Sequence, residues 1–345
     1  MAAKPTMNLA GLRFDRTAAV VDGMIKMDSV NVSNVPGGKA AIQGLLGNAF
    51  DASEVPFSRY VSWIANGRKL KAVPVFSDRL FQHEYIYTRP DTGITSLADL
   101  RGRRVVCAPS YFATPSFWHR ALLKEAAGIE PHEIEWHSPA AEAEEMRLPT
   151  GVTVKQSPTN ILGLERLLDG TADALMTART PLVPKGQESR VRRVLSDAHQ
   201  QQREWYKRTG FFPILHVIAI REEALKARPS FGEEICAAYD AAKQYAYNVL
   251  QDDRMTGLPL MRGYLDEAMA LGGDDPWPYG LKRNRAEIDR FLDLALDHGL
   301  TSRRIAIEEM FDERAAGFAF TARMTPGCIT GTMDRGWAPD TIWPA

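Results

Sequence analysis

A chain of 345 residues with 45% apolar side chains is long enough to bury two cores. Its 42 Lys plus Arg stand against 43 Asp plus Glu, and the resulting net charge of -1 offers no overall field for nucleic acid or an anionic membrane, so recognition has to be local. Cys107, Cys236 and Cys328 lie far apart with no Cys-x-x-Cys spacing, which argues against a disulfide framework or a thiolate zinc site and fits a reducing compartment.

Short apolar runs alternate with amphipathic stretches along the chain, the pattern of an α/β fold. The opening Met1–Ala10 has no apolar run long enough for a signal-peptide core, and no run of about 18 apolar residues follows, so a cytoplasmic protein without a membrane span is expected. Leu9 to Phe14 reads as the first strand, with Asp15 and Arg16 directly after it. A helix is expected over 40–48 and a strand over 52–55 that carries Glu54. Ser58 and the amides after it then sit where a helix N-terminus can receive an anion.

The apolar run Ala72 to Phe76 leads into Ser77-Asp78-Arg79-Leu80-Phe81-Gln82-His83. Arg79 and His83 are four apart, so they share one face of a helical turn or one side of an extended loop. They would equally suit a surface arginine and a capping histidine. From Ser96 to Ala108 a capped turn, a Gly stop and a strand suggest entry into a second domain, giving domains of 1–95 with 208–345, and 96–207. Helices are expected over 114–127 and 160–168, then a strand over 172–176 with Arg179 just past its end.

The chain then turns back into Phe211-Phe212-Pro213-Ile214-Leu215-His216-Val217-Ile218-Ala219-Ile220, a strand-like run in which an imidazole must find a hydrogen-bond partner or a ligand. Long helices over 231–250 and 286–298 complete the first domain. Trp277-Pro278-Tyr279-Gly280 reads as a rigid turn presenting an aromatic wall, although Trp277 suits a core position as well. Residues 317–345 read as an irregular tail able to pack on a neighbouring subunit. His119, His132, His137 and His199 are expected at the surface. No Gly-x-Ser-x-Gly elbow occurs, and Pro36-Gly37-Gly38-Lys39 lacks the spacing of a phosphate loop.

Three stretches carry more than their composition: Arg-x-Phe-x-His from Arg79 to His83, Arg-Thr-Gly-x-Phe-Pro-x-x-His from Arg208 to His216, and Trp-Pro-Tyr-Gly from Trp277 to Gly280. With Phe14-Asp15-Arg16-Thr17, Glu54, Ser58-Arg59-Tyr60 and Asn284, their order and spacing resemble the 4,5-dihydroxyphthalate decarboxylase family. The resemblance implies a two-lobed type II periplasmic-binding-protein-like fold, with mixed sheets flanked by helices and a ligand crevice between the lobes. It also implies a cofactor-independent, homo-oligomeric decarboxylase of a hydroxylated aromatic acid, with 4,5-dihydroxyphthalate and protocatechuate as the leading pair.

Under that resemblance Arg79 and Arg179 anchor carboxylates, with Arg16 ranked below them. His83 and His216 serve as base and acid, Glu54 orients an imidazole, and Ser58, Trp277 and Tyr279 contact substrate. Arg179 matches the family's Asp-Ala-x-x-x-Ala-Arg run. The chain departs from the family's pattern at Pro109-Ser110-Tyr111-Phe112, where Pro-Glu-Tyr-Gln is usual, and after Glu54, where Val-Pro replaces Met-Ser. Two alternatives stay open: a divalent metal held by Glu54, His83 and His216, and a solute-binding protein without catalysis, whose arginines hold a carboxylate.

Overall fold

The computed structural model describes residues 5–35, 38–141, 147–156 and 163–324. Its strands are β1 (Met7–Gly11), β2 (Val30–Asn34), β3 (Ala52–Pro56), β4 (Leu70–Val73), β5 (Ile86–Thr88), β6 (Arg104–Cys107), β7 (Glu135–Ser138), β8 (Val154–Gln156), β9 (Ala174–Met176), β10 (Arg192–Arg193) and β11 (His216–Arg221). They form two mixed sheets, a five-stranded one ordered β2-β1-β3-β11-β4 and a six-stranded one ordered β10-β5-β9-β6-β7-β8. The helices that cover them include α1 (Asp15–Val21), α2 (Gly38–Leu46), α3 (Phe57–Ala65), α4 (Thr114–Ala127) and α5 (Leu164–Leu168). The chain continues through α6 (Ala198–Thr209), α7 (Glu222–Ala227), α8 (Phe231–Gln251), α9 (Met261–Gly272) and α10 (Leu281–Asp297).

β11 lies between β3 and β4 and is antiparallel to both. Val217, Ile218, Ala219 and Ile220 are fully buried there, as a continuous apolar run requires in a strand covered on both faces. One apolar core joins Leu9 and Val217 of the first sheet to Ile86, Val105 and Trp136 of the second. Phe291 of α10 sits at the junction, with ring centroids 4.9 Å from Phe57 in α3 and 5.3 Å from Phe117 in α4.

The chain crosses to the second sheet between β4 and β5, so that sheet begins at Ile86, ahead of the crossing expected at 96. It returns through α6, whose last turn closes at Gly210 with φ of 70°, the left-handed conformation that suits glycine and releases the chain toward β11. The two crossing segments pair with each other: Leu80 N donates to Pro213 O at 3.0 Å and Leu215 N to Asp78 O at 2.8 Å. The end of the expected 317–345 tail, with Cys328, and the start of the expected 160–168 helix lie outside the described residues.

This topology positions the site. β1 and β3 are parallel and end on the same edge, and antiparallel β11 begins there, with His216 opposite Pro56. Arg16 follows β1, Ser58 follows β3 and Asp78 follows β4, so one sheet edge gathers them with His216 beyond the carboxyl ends of the parallel strands.

Candidate active site

Glu54 and His216 are diagonal neighbours on one face of the β3–β11 pair, two residues out of register. Glu54 is fully buried, and its Oε1 lies 2.9 Å from His216 Nδ1 while Oε2 accepts from Leu12 N at 3.2 Å. An ionised carboxylate only accepts, so Nδ1 donates and Nε2 is left for a ligand; the imidazole side chain keeps 18% exposure. A second carboxylate, Asp78, places Oδ2 3.9 Å from Nδ1.

Burial opposes a charged His216, but the hydrogen bond to Glu54 and the charges of Asp78 and Glu54 outweigh it and raise its pKa above the ordinary 6.5. A raised histidine stabilises the fold fully below the unfolded value near 6.5, and that contribution fades as pH climbs through the folded value. Thermal unfolding of wild type and His216→Gln should therefore differ most in mild acid and converge at alkaline pH; a constant gap from pH 5 to 9 would contradict the charged pair.

Arg16 reaches the same cluster from the first turn of α1. Its Nε donates to Ser77 O at 2.7 Å and its Nη1 to Asp15 Oδ1 at 2.9 Å, while Nη2 stands 3.8 Å from Asp78 Oδ1. The guanidinium lies 3.6 Å from the centroid of the Trp277 ring, a cation–π contact. Trp277 is pinned by Nε1 donating to Phe76 O at 2.8 Å and stands edge-on to Phe212 at 5.0 Å. Arg16, Phe81, Phe212 and Trp277 form one side of a largely apolar cavity of about 360 Å³ whose other side comes from α6, α8 and α9.

No protein-family model matches the chain. A 4,5-dihydroxyphthalate decarboxylase from Comamonas testosteroni is 31% identical over 321 residues, covering 89% of this chain and 96% of the relative. The chain belongs to the 4,5-dihydroxyphthalate decarboxylase family. A 4,5-dihydroxyphthalate decarboxylase from Pseudomonas putida is 28% identical over 217 residues, 60% of this chain and 84% of that one. Among solved structures, the periplasmic aliphatic sulphonate binding protein SsuA from Escherichia coli superposes with a TM-score of 0.56 at 14% identity, over 91% of this chain and 99% of its own. The alkanesulfonate-binding SsuA from Xanthomonas axonopodis pv. citri, bound to MOPS, gives 0.50 at 12% identity, over 89% of this chain and 98% of its own. These likenesses establish the two-lobed binding-protein fold.

Several residues that the family resemblance marked out are buried with partners from other parts of the chain. The Arg79 side chain is fully buried. Its Nη1 donates to Phe212 O at 2.6 Å and to Glu287 Oε2 at 3.3 Å, and its Nη2 donates to Pro278 O at 2.8 Å and to Asn284 Oδ1. That guanidinium ties the returning segment and the Trp277 turn to α10; both its terminal nitrogens are engaged there, while its Nε has no hydrogen-bond partner among the described residues.

His83 is 4% exposed in a single 3-10 turn, 6.0 Å from the Trp205 ring centroid, with Nδ1 unpartnered. Burial pushes its pKa down to about 4, with Glu125 and Arg208 the charges that bear on it next. No bond or ring contact found among the described residues links it to His216. His83→Gln should leave turnover near native while costing about 1–3 kcal/mol of stability through a buried polar mismatch, read by urea unfolding beside the rate.

Tyr279 is 2% exposed behind the turn, 4.4 Å under Lys243 Nζ, and forms no part of an open wall. Ser58 is 2% exposed, and its N–H and hydroxyl both meet Thr114 Oγ1 at 3.1 Å, so the start of α4 closes over the start of α3. Arg179 does follow β9 and is exposed, with no ion pair found among the described residues. His119 and His137 are buried where a surface was expected. Among the described residues no three His, Cys, Asp or Glu side chains converge as metal ligands, and Glu54, His83 and His216 are not assembled as a set. No described helix is long and apolar enough to cross a membrane.

Asp78 is the site residue that sequence reasoning passed over. It sits beside Arg79 in the family stretch, but a lone aspartate before an arginine reads as that arginine's partner. Only the fold turns it toward Arg16 and His216 instead.

Proposed function

We propose that this chain removes carbon dioxide from 4,5-dihydroxyphthalate to give protocatechuate, without an added cofactor. The observation that carries the reading is the buried Glu54–His216 pair at the crevice edge, in a chain belonging to a family named for that reaction. A hydroxyl para to the departing carboxylate lets the ring hold the electron pair. Loss of the phenolic proton makes the opposite ring carbon basic, His216 in its charged form delivers a proton to it from Nε2, and the carbon–carbon bond then breaks with its pair returning to the ring. Glu54 keeps the imidazole oriented and favours the acid form that this step consumes.

In this reading Arg179 and Arg16 bind the two carboxylates; Arg179 is exposed just past β9, and Arg16 lines the aromatic cavity. Arg179→Ala should raise KM by roughly 10- to 100-fold with a smaller change in kcat, since a charge-assisted hydrogen bond contributes about 1.5–3 kcal/mol. An unchanged KM removes Arg179 from substrate binding.

The decisive assay is carbon dioxide release by purified protein from a panel of hydroxylated aromatic acids. One-to-one release of carbon dioxide and protocatechuate, insensitive to chelator, is the expected result. Tight binding of the panel with no turnover replaces the decarboxylase reading with a solute-binding one. Loss of activity with chelator, restored by a divalent ion, replaces the metal-free chemistry.

A further inference from the structure

The decarboxylation proposed above needs a base for the phenolic proton as well as an acid for the ring carbon, and His83 is buried with no bond or ring contact to His216 among the described residues. We propose that Asp78 is that base. Of the two carboxylates beside His216, Glu54 is fully buried and spends its oxygens on His216 Nδ1 and Leu12 N. Asp78 keeps 24% of its side chain exposed. Its main chain is fixed, because its carbonyl accepts from Leu215 N at 2.8 Å and His216 N at 3.2 Å.

The groups facing the Asp78 carboxylate are Arg16 from α1 at 3.8 Å, His216 from β11 at 3.9 Å, Glu54 from β3, the N–H of Arg79 and, more weakly, Tyr85. The two cations stand beyond hydrogen-bond length, so they steady the carboxylate without occupying its lone pairs. Burial, with Glu54 adding to it, raises the carboxyl above its ordinary range and makes it a better proton acceptor than a solvated aspartate.

The geometry also suits the substrate. A hydroxyl and the carboxylate-bearing carbon para to it lie at opposite ends of one ring, so base and acid must stand apart on the same wall. His216 Nε2 is on the far side of the imidazole from Nδ1, the atom nearest Asp78. In the step, Asp78 takes the hydroxyl proton and the phenolate pair moves through the ring. The para carbon takes the proton of His216 Nε2, and carbon dioxide departs leaving its bonding pair in the ring. Asp78 returns its proton to the phenolate oxygen, and His216 is recharged by one proton from solvent, so the net reaction consumes one proton.

The role rests on the decarboxylase reading, and the test separates the two. Wild type and Asp78→Asn are assayed on 4,5-dihydroxyphthalate and on a ring-halogenated analogue whose phenol is already ionised at the assay pH. The variant should be slower on the parent substrate by on the order of 10²–10⁴-fold. Its deficit on the ionised analogue should be at least tenfold smaller, since no base is then required. Both ratios come from one preparation, so partial misfolding of the variant scales them alike and cannot mimic the difference. An equal deficit on both substrates makes Asp78 a positioning residue for His216 and overturns the proposal, as does a variant rate within threefold of wild type on the parent. If the wild type turns over neither compound, the decarboxylase reading itself falls, and this role with it.

Discussion

Exchange of His216 for Gln is expected to lower kcat by on the order of 10²–10⁴-fold while affinity for an unreactive substrate analogue stays within a few fold of native. The amide of Gln can donate to Glu54 Oε1, which His216 Nδ1 approaches to 2.9 Å, so the buried carboxylate keeps a partner and the β3–β11 edge keeps its shape. What the amide lacks is a transferable proton. Rates from product formation and affinities from calorimetry, taken on one preparation, divide chemistry from binding. Near-native turnover would leave His216 a structural group satisfied by Glu54.

Removal of Arg79 should act on the fold rather than on the substrate. Its guanidinium is fully buried and bonds Phe212 O, Pro278 O, Asn284 and Glu287, and Glu287 in turn accepts from Ile214 N at 2.6 Å and Phe212 N at 3.2 Å. Arg79→Met strands the Glu287 carboxylate and two carbonyl oxygens away from water, a change that costs about 3–5 kcal/mol when one partner of a buried pair is deleted. Urea unfolding should show that loss as a lower midpoint. A companion Arg79→Met, Glu287→Gln variant should recover part of it, because the orphaned charge is then absent. A native midpoint with a raised KM would return Arg79 to the carboxylate-anchor role. Arg79 joins the segment before His216 to the turn bearing Trp277, so its loss also loosens the wall beside the Glu54–His216 pair.

How far the site could be read beforehand differs from residue to residue. The family stretches located the crossing segments, and the apolar run through His216 identified a buried strand whose imidazole needed a partner. Glu54 ends a short strand, where a carboxylate can orient such an imidazole. Those inferences rest on local information: apolar periodicity sets burial, a buried polar ring demands a bond, and a strand's end marks the crevice edge. The helices over 114–127 and 231–250 were legible for the same reason and appear as Thr114–Ala127 and Phe231–Gln251.

Arg79, His83 and Asp78 escaped that logic. Spacing of four shows that Arg79 and His83 can share a side, but not what arrives there from far along the chain: the partner of Arg79 lies 208 residues away in α10, and His83 meets Trp205 of the returning helix. Asp78 is adjacent to Arg79 in sequence, yet its charged neighbours come from α1 and β11. The α/β class, the buried strand of His216 and the residue types available to the crevice are legible in the chain alone, because burial and periodicity are local properties. Which charges meet is set by the folded packing, because a buried ion pair forms where long-range contacts exclude water around two groups, and those contacts are written in no single stretch of residues.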